Sequence, residues 1–105
     1  MLICAVYDKK AMCFFPPFTV ENRVMAIRGF EETVNAPGNV ISRYPDDFAL
    51  YTLGEFNEKQ GNIVQYELKS LECEARQCVM PKEWKNFNSS MDEGTRLAGE
   101  GGEVK

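Results

Sequence analysis

Leu2 to Tyr7 is a β-branched and aromatic run that breaks at the turn-like Asp8-Lys9-Lys10, and Ala11 to Phe15 resumes an apolar stretch that Pro16-Pro17 ends. Two such runs about a short polar turn predict a β-hairpin. Thr19 is placed to cap a helix with Glu21 in its first turn, where a carboxylate meets the positive end of the helix dipole. Val24, Ile27, Phe30 and Val34 then recur at spacings of three and four, one stripe of a helix from about Val20 to Val34, and Arg23, Arg28, Glu31 and Glu32 fall largely outside it. Asn35-Ala36-Pro37-Gly38-Asn39 terminates that helix.

Val40 and Ile41 form a short apolar anchor, and Tyr44-Pro45-Asp46-Asp47 reads as a turn. From Phe48 to Phe56 apolar side chains stand at odd and even positions alike (Phe48, Leu50, Tyr51, Leu53, Phe56), so neither face of this strand is polar and a central place in a sheet is expected. The polar loop Asn57 to Gly61 and the alternation of Val64, Tyr66 and Leu68 complete a second hairpin. Leu68 to Val79 fits both a helical and an alternating period; the spacing of Leu68, Leu71, Ala75 and Val79 favours a short helix. The expected fold is α+β: two β-hairpins forming a mainly antiparallel four-stranded sheet with one main helix. After Pro81 the chain turns to Asn, Ser, Gly and Glu, a composition that buries too little surface to offset its ordering entropy. The reading is therefore a single domain over residues 1–80 and a flexible, acidic tail over 81–105.

The chain has 105 residues, 44% of them apolar, and no apolar run approaches the roughly 18 residues that span a bilayer, so no membrane partner is expected. Histidine is absent, which removes the commonest general base and every nucleophile that depends on an imidazole; no enzyme is expected. Four cysteines, Cys4, Cys13, Cys73 and Cys78, follow no secretory signal and are expected to be reduced in a cytoplasm. Their gaps differ from the two-residue knuckle of zinc ribbons, so they read as buried or half-buried apolar groups, with no metal and no cofactor. The glycines near Gly99 lack the strand, helix and Lys-Thr of a phosphate loop, and Asp46-Asp47 and Glu31-Glu32 read as turn and solvated face.

Charge divides unevenly. Residues 1–44 carry a balance of +1 and the remainder −5, out of a net −4, so a polyanion would meet the first half. There aromatic and basic residues interleave (Tyr7, Lys9, Lys10, Phe14, Phe15, Phe18, Arg43, Tyr44), with Lys82, Trp84, Lys85 and Phe87 following Pro81. Single-stranded nucleic acid is held by such mixtures, because phosphates need cations and unstacked bases need flat rings; the phenylalanines serve a small core equally well.

Val6-Tyr7-Asp8-Lys9-Lys10-Ala11, Pro16-Pro17-Phe18, Ala26-Ile27-Arg28-Gly29-Phe30, Ile41 to Phe48 and Leu50 to Phe56 stand in an order and at gaps that resemble the small nonstructural protein of gokushoviruses, tailless single-stranded DNA phages of the Microviridae, over about residues 1–68. The resemblance implies a nonenzymatic accessory protein that binds single-stranded DNA during genome replication or packaging in the host bacterial cytoplasm. By position it points to Lys9, Lys10, Arg28, Arg43, Tyr7 and Tyr44 as nucleic-acid-binding residues, with Tyr51 fitting site and core alike. The alternative is an adaptor that docks on a phage or host protein, through Trp84 and Phe87. Because the apolar periodicity ends near Val79, a chain truncated after Lys85 is expected to keep its circular dichroism and thermal midpoint; loss of cooperative unfolding would place Trp84 and Phe87 in the core.

Overall fold

A computed structural model describes residues 1–81 of the chain. Strand β1 (Leu2–Asp8) turns at Lys9–Met12, where the Asp8 carboxylate accepts from the Lys10 and Ala11 N–H groups at 3.0 and 3.1 Å, and returns as the two-residue β2 (Cys13–Phe14). The prolines at 16 and 17 end β2 because they lack donors, yet the chain then re-pairs with β1 as β3 (Phe18–Val20), Ile3 opposite Thr19. This interrupted edge strand replaces the expected start of the helix. Thr19 and Val20 are held in the sheet, and α1 runs over Arg23–Asn35 with Asn22 as its cap, the Met25 N–H donating to Asn22 Oδ1 at 3.0 Å. Glu21 lies outside its first turn, which holds no acid.

The buried stripe of α1 also differs from the expected one. Ala26, Phe30 and Val34 are buried and Ile27 packs against them, whereas Val24 is exposed. A small side chain at Ala26 lets the helix backbone approach the sheet, so the contact line falls one position round from where the larger residues alone would set it. Past Gly38, whose φ of +87° suits glycine, Asn39 caps the short α2 (Val40–Arg43), and a 3₁₀ turn over Pro45–Asp47 leads into β4 (Phe48–Asn57).

Strand β4 is central, paired antiparallel with β1 on one side and with β5 (Asn62–Glu74) on the other. Strand β5 continues six residues beyond Leu68, so the stretch expected to be helical is strand to Glu74 and only Ala75–Cys78 forms a helix, α3. The alternating period prevails because the ladder to β4 resumes at Ser70 and Leu71, opposite Thr52 and Tyr51. Glu72 anchors it further: the Thr52 hydroxyl donates to Glu72 Oε2 at 2.8 Å and Arg23 pairs with the other oxygen. The sheet is thus antiparallel with five strand segments, β2 and β3 both beside β1, and three helices complete the α+β fold. The expected tail lies, Pro81 apart, outside the described residues.

Cys4, Val6, Phe48 and Leu50 line the face that α1 covers and, with Ile41, Ala75 and Cys78, close the core. Cys4 and Cys78 are buried and Cys73 half-buried, as apolar thiols, but Cys13 is exposed at the start of β2. Burial pushes the Cys4 and Cys78 thiols up and Cys73 to about 12, so the three stay protonated.

Two places are sensitive to single changes. At Gly54 a Cβ would run into the Val64 carbonyl oxygen, a backbone atom that cannot swing aside, so Gly54→Ala is expected to cost about 1 to 3 kcal/mol, read as a lower urea midpoint. Glu72 has a side chain only 6% exposed. Burial raises its pKa, but the hydrogen bonds from Thr52 and Arg23 together outweigh burial and hold the carboxyl below its ordinary 4.5. A lowered folded pKa contributes stability that is full above the unfolded value and lost as pH falls through the folded one. Glu72→Gln is therefore expected to be less stable than the parent at neutral pH, with the gap narrowing as denaturation is followed downward from about pH 4.5; a constant gap would show that the carboxylate's charge is irrelevant.

Candidate functional site

Because side chains alternate along a strand, the positions of β1 and β4 that do not face α1 must face the other way. On β1 these are Ile3, Ala5 and Tyr7; on β4, Ala49 and Tyr51, which stand opposite Tyr7 and Ala5. Phe14 is opposite Tyr7 on β2. Ala5 and Ala49 are fully buried beneath their neighbours, and the three rings gather over them. The Tyr7 and Phe14 centroids are 4.7 Å apart, Phe14 and Tyr51 5.7 Å, and Tyr7 and Tyr51 6.2 Å, the last two pairs edge to face. Such tilted packing suits the ring quadrupoles and fixes the cluster without a layer above it. Among the described residues no element covers this face.

The β1–β2 turn places Lys9 and Lys10 at one end of the aromatic cluster. Lys9 is engaged. Its Nζ is 2.5 Å from Glu74 Oε1 and 3.5 Å from the Asp46 carbonyl oxygen, and the Glu74 carboxylate holds the ammonium above its usual range. Lys10 is exposed and makes no ion pair among the described residues, which leaves it the freer cation. The Lys9 N–H donates to the Asp47 carbonyl at 2.8 Å, tying this turn to the 3₁₀ segment that Arg43 and Tyr44 lead into. Arg43 and Tyr44 are both exposed there. Acids crowd the same end: Asp46 forms a two-pronged pair with Arg76 at 2.7 and 3.0 Å, and hydrogen bonding to that guanidinium holds its carboxyl below the usual range.

Of the six residues singled out in the sequence, Tyr7, Lys9, Lys10, Arg43 and Tyr44 therefore lie toward the hairpin end of the sheet. Arg28 does not join them. It is exposed on α1, on the side of the helix turned away from Ala26 and Phe30, so the sheet and the core separate it from the aromatic face. Phe14 and Tyr51 are the residues that the sequence reading left undecided between site and core. The signal was parity: Tyr7 and Tyr51 each follow a buried aliphatic, Val6 and Leu50, on strands buried on that side. Among the described residues no three Cys, Asp or Glu side chains come together as a metal site.

A helix layer on one side of an antiparallel sheet, with an aromatic cluster on the other, defines a small α+β domain. The chain belongs to the Phage ORF5 protein family, whose model matches residues 1–78. Comparison with curated proteins and with solved structures finds no match. No helix among the described residues is long and apolar enough to cross a membrane.

Proposed function

We propose that this phage protein is a nonenzymatic accessory factor that binds single-stranded DNA of a gokushovirus-like genome in the host cytoplasm, during replication or packaging. The observation that carries the reading is the Tyr7, Phe14 and Tyr51 cluster on the uncovered sheet face, with Lys10 and Lys9 at its end. The three rings are half-buried, and unpaired bases stack on the part left open whatever their sequence while the lysines take the phosphates that flank them. A duplex hides its bases and gains only the cations, which the neighbouring acids partly offset. The absence of catalysis is supported by the lack of histidine and by the raised pKa of the buried and half-buried thiols of Cys4, Cys73 and Cys78.

With Lys9, Lys10 and Arg43 as the cations of this end, two to four phosphate contacts give a slope of log affinity against log salt of roughly −1.5 to −3. Fluorescence anisotropy of a labelled oligothymidine at low salt measures it. Lys10→Ala is expected to flatten the slope by about 0.7, and Lys9→Ala by less, since Glu74 competes for that ammonium. Tyr51→Leu keeps apolar bulk over Ala5 and is expected to cost about 1 to 3 kcal/mol of binding with the slope unchanged. Unaltered affinity in these variants, with the fold intact, would move the function to the adaptor reading. That reading is favoured by one observation, an apolar groove of about 320 Å³ between α1 and β3 lined by Phe18, Val20, Met25, Gly29 and Ile41.

A further inference from the structure

The same uncovered face carries a second feature at its far end. Strands β1, β4 and β5 lose register there: Ile3 pairs with Gly54 and Cys4 with Thr52, leaving Leu53 unmatched, while Gly54 pairs with Gln65 and Thr52 with Ser70, so Tyr66 to Lys69 stand against Leu53 alone. Such irregularities re-aim side chains and open space within a sheet. The space is a hollow of about 240 Å³, walled by Ile3, Leu53, Ile63 and Tyr66, with Lys69 among its lining residues. It is smaller than the about 300 to 1,000 Å³ that whole drug-sized ligands fill, so a single planar group is the kind of occupant it suits. Ile3 belongs to the same pleat row of β1 as Ala5 and Tyr7, which puts the hollow on the aromatic face.

We infer that this hollow is a second base-binding position for single-stranded DNA, taking one nucleobase against Ile3, Leu53 and Ile63 while Lys69 meets the adjoining phosphate. The inference rests on the proposed DNA reading and extends it by giving the strand a path. From Tyr7 to Ile3 the face runs four residues, about 13 Å, or roughly four nucleotides at stacked spacing. Cations then stand at both ends of an apolar track, Lys9 and Lys10 at one and Lys69 at the other, which is the charge pattern that a single strand lying along the face requires. Ile63 is 70% exposed and so is available to a ligand rather than committed to the core.

The test uses the full chain and two labelled oligothymidines, of about three and about ten nucleotides, because only the longer reaches both positions. The longer is expected to bind the parent protein more tightly. Lys69→Ala and Ile63→Ser, both at exposed residues, are each expected to weaken the longer oligonucleotide about three- to tenfold and to leave the shorter unchanged, and Lys69→Ala to flatten the salt slope of the longer by about 0.7. Equal affinity for both lengths, or variants that leave the longer unaffected, would overturn the second position while the aromatic site stands. Failure of both oligonucleotides to bind would overturn both; sedimentation as a dimer that Tyr51→Leu and Ile63→Ser disrupt would in that case assign the face to a second copy of the chain.

Discussion

A sheet has two faces, and a chain with one long helix can cover only one of them. The 13 residues of α1, helped by α2 and α3, close over Cys4, Val6, Phe48 and Leu50, and the described chain has no second layer to spend on the other side. That constraint orders the rest. Alanines at positions 5 and 49 make the open side nearly flat, so large rings placed beside them pack over small ones and hold one another in place. Tyrosine suits such a half-wet position, since its ring sheds water while its hydroxyl keeps it. The uncovered side is an apolar surface with a polar rim, and its rim is where the lysines stand.

Electrostatics temper what that surface can hold. Two of the cations at the hairpin end are not free charges awaiting a phosphate: Lys9 already has Glu74, and Arg76 already has Asp46. Exposed pairs of this kind contribute little to stability, so their main effect is to set the cost of exchanging one anion for another. A polyanion that displaces Glu74 must offer more than one phosphate, which favours a flexible strand making several weak contacts over a compact ligand making one. With a net charge of −4, the whole chain repels a polyanion at long range, so under the proposed reading binding falls to the rings and to the near field of a few side chains.

Much of the fold was legible because period and composition agree. Phe48 to Phe56 shows apolar residues on both faces and is the central strand; Asn57 to Gly61 is the loop that joins it to β5. The errors arose where two local signals competed. Thr19 is a good cap, but pairing of Phe18–Val20 with β1 outbids it and hands the cap to Asn22. Leu68 to Val79 satisfies both periods, and what decides it is a distant partner, Arg23 with Thr52 on Glu72, which no local window contains. The site was half legible for the same reason. Tyr7, Lys9 and Lys10 sit in one turn and its strand, so their nearness follows from sequence, and Arg43 with Tyr44 joins them through long-range contacts, the Lys9 bonds to Asp46 and Asp47 and the pairing of Asp8 with Phe48. Arg28 is close to none of them, because a helix that covers one face must turn its charged side away from the other.

The two edges of the sheet share a property with consequences beyond this molecule. On one side the partner of β1 is cut in two by Pro16-Pro17; on the other, β5 departs from β4 at Tyr66 to Lys69 and carries a lysine there. The first border is thus short and broken, while β5 at the other is 13 residues long and has its bend and Lys69 to discourage another extended chain from pairing along it. Half-buried rings beside such an edge would ordinarily favour fibres, and the interruptions at the two borders oppose that lateral growth.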